Sequence, residues 1–453
     1  MNSAPIISKP QHARALLTLG LPLVGSHLAQ MMLHVTDTVM LGWYGVLELA
    51  SVVLGASLFF IIFILGAGFG QAVMPMVAQA LGRGDEVQVR RDTRMGLWLS
   101  IGFGVLCYPV FWWSGSLLLA LGQEPDVAAT AQVYLRIAGL GMIPTLLVMS
   151  LKSYLAALEK TQVVLWVTVA AVVMNAGVNY ALIFGNWGAP ELGVKGAAIA
   201  SVFTQAVTFV ALALYAHWVP ELKRFNLFQR FWRPDWQAMQ QVYRIGWPIG
   251  LTGLAEGGLF QASAIMMGWI GTMELAAHGI ALEVTALAFM VHLGLSNAAT
   301  VRVGRAMGQN NAQSLRDGAK VALMMSLGFG VTMVVLFLTL PAQIIALFLD
   351  NANPQSASIV AFGTTLLALS ALFQMVDATQ VMALGFLRGM QDTKVPMWLA
   401  ALSYWVIGIP ASYVLAFPMG LGGPGLWLGL TVGLSVAAGL LLWRFWTTAP
   451  KPG

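Results

Sequence analysis

The chain has 453 residues; 58% are hydrophobic, only 9% are charged, and the formal net charge is +5. Soluble domains carry about 25% charged residues, so this composition excludes an ordinary water-soluble protein. One cysteine, Cys107, excludes an intrachain disulfide.

Apolar stretches follow one another along the chain at 15–41, 46–70, 93–119, 129–150, 162–184, 195–218, 242–270, 276–300, 318–340, 359–386, 396–416 and 425–446. Each is long enough to cross a hydrocarbon core of about 30 Å. The expectation is an all-α membrane protein with twelve transmembrane helices, because a barrel would show short alternating strands. The chain is polar up to Arg14, and the apolar run beyond it holds Pro22 and His27 with no small-residue cleavage site, so no cleavable signal is expected. With the N-terminus placed inside, 21 of the 23 lysines and arginines fall on one side; only Arg136 and Lys195 fall on the other. That bias predicts a multi-pass chain with both termini cytoplasmic.

The first span carries His27, Gln30, His34 and Asp37 on one helix face, a stripe that lipid cannot satisfy. Asp37 reads as part of a proton or cation path. Asn175 and Asn179, one turn apart on the fifth span, read as glue between helices. The segment around 220–240, ELKRFNLFQRFWRPDW, alternates aromatic and basic residues and predicts an amphipathic interface helix, not a nucleic-acid site. On the seventh span Glu256 lies about 21 Å from the cytoplasmic end, and Gly257 and Gly258 beside it allow a bend or a close approach. Glu283 follows on the eighth span. Gln374, Asp377 and Gln380 share a face of the tenth, with Asp377 about 17 Å deep. No lysine or arginine is expected beside these four buried acids. An unpaired charge at this depth costs at least about 2.5–3.5 kcal/mol and marks a functional site. Glu256 and Asp377 at similar depth are the expected ligands of a Na⁺ ion, or share a proton. Phe260, Met266, Phe289 and Met290 are expected to line an adaptable substrate vestibule.

The chain repeats itself with an offset of about 226 residues: Pro22 matches Pro248, Gly42 matches Gly268, Glu48 matches Glu274, and Gly82 matches Gly308. Each half holds six spans, so the halves are expected as parallel six-helix lobes, 1–225 and 226–453. Glu48 and Glu274, just before their spans, suit helix starts. No HExxH, GxSxG, P-loop or Cys/His cluster occurs, which argues against an enzyme and against built-in ATP hydrolysis.

Several segments together resemble the MATE (multidrug and toxic compound extrusion) family, NorM-like bacterial branch. They are LGLPL, TDTVMLG at 36–42, PMVAQALGRGD at 75–85, EGGLF at 256–260, AAHGIALEV at 276–284, TVRVGRAMG at 300–308 and LRGMQDTKVP at 387–396. The resemblance implies efflux of organic cations or amphipathic drugs across the inner membrane in exchange for Na⁺ or H⁺, without another cofactor, by a monomer in the lipid bilayer. It places functional acids at Asp37, Glu256 and Asp377. Phe373 stands where some relatives have a tyrosine, and Glu283 where relatives often have a neutral residue; a three-acid site is the expectation that follows. Two alternatives are a flippase for lipid-linked oligosaccharides, which should carry basic residues in its cleft, and an intramembrane enzyme.

Overall fold

A computed structural model describes residues 8–349 and 355–451; residues 1–7, part of the expected polar N-terminal stretch, lie outside the described residues. Among the described residues all regular structure is helical. Twelve long helices run in chain order: α1 (Lys9–Tyr44), α2 (Val46–Arg83), α3 (Glu86–Trp112), α4 (Pro125–Ala157), α5 (Thr161–Phe184), α6 (Val194–Trp218), α7 (Trp236–Ile270), α8 (Thr272–Gly308), α9 (Ala312–Thr339), α10 (Ser356–Gly389), α11 (Lys394–Ala416) and α12 (Gly422–Thr448). Short helices at Ser114–Ala120, Pro220–Lys223 and Pro341–Ala346 join them. Eleven of the twelve are long and apolar enough to cross a membrane. The remaining one, α7, is 35 residues long but is diluted by Glu256, Gln261 and several glycines.

The helix ends depart from the expected spans, most by overrunning them, and local chemistry explains where. The first starts at Lys9 because the Ser8 amide donates to the Gln11 side chain at 2.8 Å, with Pro10 in the first turn. The third ends at Trp112, short of the expected 119, where Trp113 leaves helical geometry. The fourth continues to Ala157, which places Lys152 inside it. The seventh starts one residue after Asp235, whose carboxylate accepts from the Ala238 amide at 3.1 Å. Glu48 and Glu274 occupy the first turns of α2 and α8, as their positions suggested.

The expected interface helix at 220–240 does not form. Helix stops at Lys223, and Asn226 and Arg230 adopt positive φ (46° and 54°), which breaks the helical path. The segment folds onto its own unit instead. Leu222, Phe225 and Leu227 are buried, the Trp98 indole donates to the Phe231 carbonyl at 2.8 Å, and Arg94 donates to the Gln229 carbonyl at 3.0 Å. Arg91 clamps Asp235 through Nε at 2.5 Å and Nη2 at 3.2 Å, and this holds the Asp235 carboxyl below the usual carboxylate range.

The chain forms two compact units. One is Gly25–Leu251; the other joins Thr252 onward with the residues up to Val24. In the first, α2 packs on α3 and α4, α4 on α3 and α6, and α5 on α6. The second repeats the scheme: α8 on α9 and α10, α10 on α9 and α12, α11 on α12. The repeat in sequence is thus a repeat in packing. Buried hydroxyls tie neighbouring helices, as Ser100 to Ser150 at 3.0 Å and Thr285 to Ser370 at 2.8 Å. The changeover between units falls inside α1 and inside α7, shortly after the repeat mates Pro22 and Pro248. The opening part of α1 packs in the second unit, where Arg302 meets His12 at 3.2 Å. The opening part of α7 packs in the first, backbone against backbone on α2. A Cβ on Gly246 would lie 2.8 Å from the Phe69 Cα, and one on Gly250 3.1 Å from the Leu65 Cα.

Candidate functional site

In the second unit, α10 turns Phe373, Gln374, Asp377 and Gln380 onto one buried face, the i, i+1, i+4, i+7 pattern of a helix. Asp377 is 1% exposed. Glu256 of α7 and Asp377 lie within range of each other's charge. Around them, five buried polar atoms lack a hydrogen-bond partner: Glu256 Oε1, Asp377 Oδ1, both amide atoms of Gln374, and Gln380 Oε1. Such atoms normally find partners, because leaving one unmade costs about 1–3 kcal/mol. Four of the five are oxygens, the donor type a hard cation takes. Among the described residues no three His, Cys, Asp or Glu side chains gather as a metal site. Two carboxylates with neutral carboxamide oxygens fit a small monovalent cation, or a proton shared between the acids.

The partner helix is shaped for this site. At Ser403–Gly408, α11 widens into a π-turn, a feature that often marks functional positions. It aims Tyr404 at Gln380, whose Nε2 donates to the Tyr404 hydroxyl at 2.5 Å. Tyr404 also lies within range of the Glu256 and Asp377 charges. The next residue, Trp405, donates from its indole to the Ala255 carbonyl at 3.1 Å and so holds the turn that presents Glu256. Gly258 leaves room for that ring: a Cβ there would sit 2.6 Å from Trp405 Cζ2.

Three expectations for this unit need correction. Glu283 does not join the acids. On α8 the buried stripe is Ala277, His278, Ala281, Val284 and Thr285, and Glu283 turns off it and is exposed. Met266 is 4% exposed and belongs to the core, not to a vestibule. The acids are also not base-free, since Arg388 of α10 lies within range of the Glu256 charge. Phe260, Phe289 and Met290 are half-buried, and Phe260 meets Phe373 edge-on at 6.0 Å. Phe373 in turn meets Trp427 at 5.6 Å.

In the first unit, Asp37 of α1 accepts from Asn179 Nδ2 at 2.5 Å and from the Ser201 hydroxyl at 3.1 Å. The same Asn179 nitrogen donates to Asn175 Oδ1 at 3.1 Å. Asn179 of α5 thus bridges to the acid on α1, and Asn175 backs it on its own helix. The rest of the stripe is more open: His27 and Gln30 are half-buried and His34 is exposed. This unit is not base-free either. Lys152, counted as a loop residue by the expected span ending at 150, lines a cavity with Gln30.

Tyr404, Ser201, Arg388 and Lys152 were not legible as site residues. A carboxylate in an apolar run stands out along the chain, whereas a hydroxyl in a span is common and a base near a span end looks like a loop residue.

Two six-helix sets, one holding the Glu256–Asp377 pair and the other Asp37 among asparagines and a serine, define a multi-spanning membrane protein with polar sites inside its bundles. The MatE family model matches residues 22–181 and 248–414, one stretch in each repeat. The probable multidrug resistance protein NorM of Rhizobium meliloti (strain 1021) is 46% identical over 97% of this chain and 94% of its own. Its counterpart in Agrobacterium fabrum is 44% identical over 96% and 93%. The solved outward-facing conformation of a multidrug resistance MATE family transporter of the MOP superfamily shares the fold at TM-score 0.86 and 21% identity, covering 99% of this chain and 100% of that one. The chain belongs to the MatE family.

Proposed function

We propose that this protein exports amphipathic or cationic small molecules in exchange for Na⁺ or H⁺, with Glu256 and Asp377 as the coupling pair. The observation that carries the reading is the group of unpartnered oxygens around those two acids, in a chain whose relatives are named multidrug resistance proteins. An ion or proton entering there satisfies oxygens that the protein leaves unmade. Its release leaves the acids charged and favours a different packing of α7, α10 and α11. Tyr404 and Gln380 position the pair, and Gln374 completes the oxygen set. Asp37, with Asn175 and Asn179, forms a second protonatable point in the first unit. Phe260, Phe289 and Met290 offer adaptable apolar contacts to varied substrates. The two compact units, Gly25–Leu251 and Thr252 onward with the residues up to Val24, rather than the expected halves 1–225 and 226–453, act as the two lobes of a monomer in the inner membrane, with both termini cytoplasmic. Lys152 weakens the argument from charge against an oligosaccharide flippase, but the relatives' names favour drug export.

Ethidium transport in inverted membrane vesicles, under a Na⁺ gradient or a H⁺ gradient imposed alone, tests the reading. One gradient should drive uptake, and Asp377→Asn and Glu256→Gln should each abolish it while the protein stays inserted. Normal uptake by both variants would refute the assignment.

A further inference from the structure

We propose that His278 of α8 holds a ring of side chains over the outer face of the Glu256–Asp377 pair, so that the coupling ion reaches the acids from outside only when that ring opens. This rests on the coupling-pair and topology readings and adds a positioning residue to them. Five residues on four helices of the second unit close the ring. Phe260 of α7 meets Phe373 of α10 edge-on at 6.0 Å, and Phe373 meets Trp427 of α12 edge-on at 5.6 Å. The Trp427 indole donates to His278 Nδ1 at 3.1 Å. His278 Nε2 lies 3.4 Å from the Ser263 hydroxyl, which donates to the Phe260 carbonyl at 2.7 Å and returns the circuit to α7. Ser263, His278, Phe373 and Trp427 are fully buried.

Helix geometry places the ring. Phe260 is one turn beyond Glu256 on α7, and Phe373 is one turn before Asp377 on α10, which runs back across the membrane. The two phenyl rings therefore cover the same side of both acids, the outer side when both termini are cytoplasmic. The bonds define what the histidine does. An indole nitrogen only donates, so His278 Nδ1 must accept and its ring proton sits on Nε2, toward Ser263. Every side-chain polar atom of Ser263, His278 and Trp427 thus has a partner, whereas four oxygens in the layer beneath have none. Two apolar residues could fill the same space at little cost, so what the His278–Trp427 bond adds is orientation: it keeps the Trp427 edge against Phe373.

The test reads how well the acids are shielded. Right-side-out membrane vesicles carrying the full chain are treated with a water-soluble carbodiimide and glycinamide, and amide formation at each carboxylate is followed by peptide mass. Labelling of Glu256 and Asp377 should be slow in the unaltered protein and about tenfold faster in His278→Leu, the shift expected from losing one buried hydrogen bond. Trp427→Phe should raise it as much, and the double variant no further, because both changes remove the same bond. His278→Asn keeps an acceptor toward Trp427 and should stay within about twofold of the unaltered rate. Asp37, in the other unit, should label at the same rate in every variant, and inverted vesicles should show no rise at the pair. An unchanged rate in His278→Leu, an equal rise at Asp37, an equal rise in inverted vesicles, or no rescue by His278→Asn overturns the ring as a barrier and leaves it as core packing. The readout involves no transport, so such a failure leaves the coupling pair to be judged by the gradient experiment alone.

Discussion

Saturating the Glu256–Asp377 site with its coupling ion should stabilise the protein by an amount the structure bounds. Four buried oxygens around the pair have no partner, and each costs about 1–3 kcal/mol, so the site holds several kcal/mol that a cation or proton can recover. An ion at a hundred times its Kd adds about 2.7 kcal/mol by mass action, which lies within that reserve. At about 2–4 °C per kcal/mol for units of this size, the midpoint should rise by roughly 5–11 °C. The assay is thermal unfolding of the purified protein in NaCl and in choline chloride at pH 8, then in choline chloride at lower pH. A Na⁺-coupled site shifts with NaCl, and a H⁺-coupled site shifts with acid. Asp377→Asn should abolish the shift and leave the folded protein intact. Equal midpoints in all three conditions, or an undiminished shift in Asp377→Asn, would sink the coupling-pair reading.

Glu283→Gln should leave the pH profile of transport superimposable on that of the unaltered protein, because the side chain is exposed; a displaced optimum would restore a three-acid site. Gly250→Leu should lower the thermal midpoint by several degrees, since overpacking the α2–α7 crossing costs about 1–3 kcal/mol, while Gly439→Leu, with open space at its Cβ, should not. Equal melting of the two would disprove the crossing as a packing constraint. Asp235→Ala loses the Arg91 clamp and the α7 cap, at a cost of about 1–2 kcal/mol near neutral pH. The folded Asp235 carboxyl is lowered, so its contribution is present above the unfolded value of about 3.9 and is lost as pH falls through the folded value. Melting curves of the two proteins should therefore converge in acid and stay apart from about pH 5 upward; a gap that persists in acid would exclude the charge as its cause.

The spans, the repeat and the acids were legible because each is a one-dimensional signal: apolar length, matched spacing, and charge where charge is costly. Ser8 with Gln11 was also readable as a helix start, and the hydropathy pattern hid it. What was lost depends on direction. A difference of one residue separates exposed Glu283 from buried Val284, and no span boundary conveys that. Lys152 was misplaced because apolarity fades about two residues before it while the helix runs on to Ala157. The linker's alternating pattern read as helix, but positive φ at Asn226 and Arg230 decides the matter, and neither residue announces it. Tyr404 became a site residue through a π-turn, a register change that periodicity cannot reveal.

The changeover inside α1 has a consequence for biogenesis. Residues 8–24 leave the ribosome some 280 residues ahead of Leu295, Ala298 and Arg302, against which Gly20 and His12 settle. During synthesis this stretch must wait in the bilayer without its final neighbours, and the second unit closes only after nearly the whole polypeptide is inserted. A gene cut at 225/226 would therefore yield two fragments that each carry a piece of the other, and neither could mature alone. Co-expressed, the fragments should recover by exchanging those pieces.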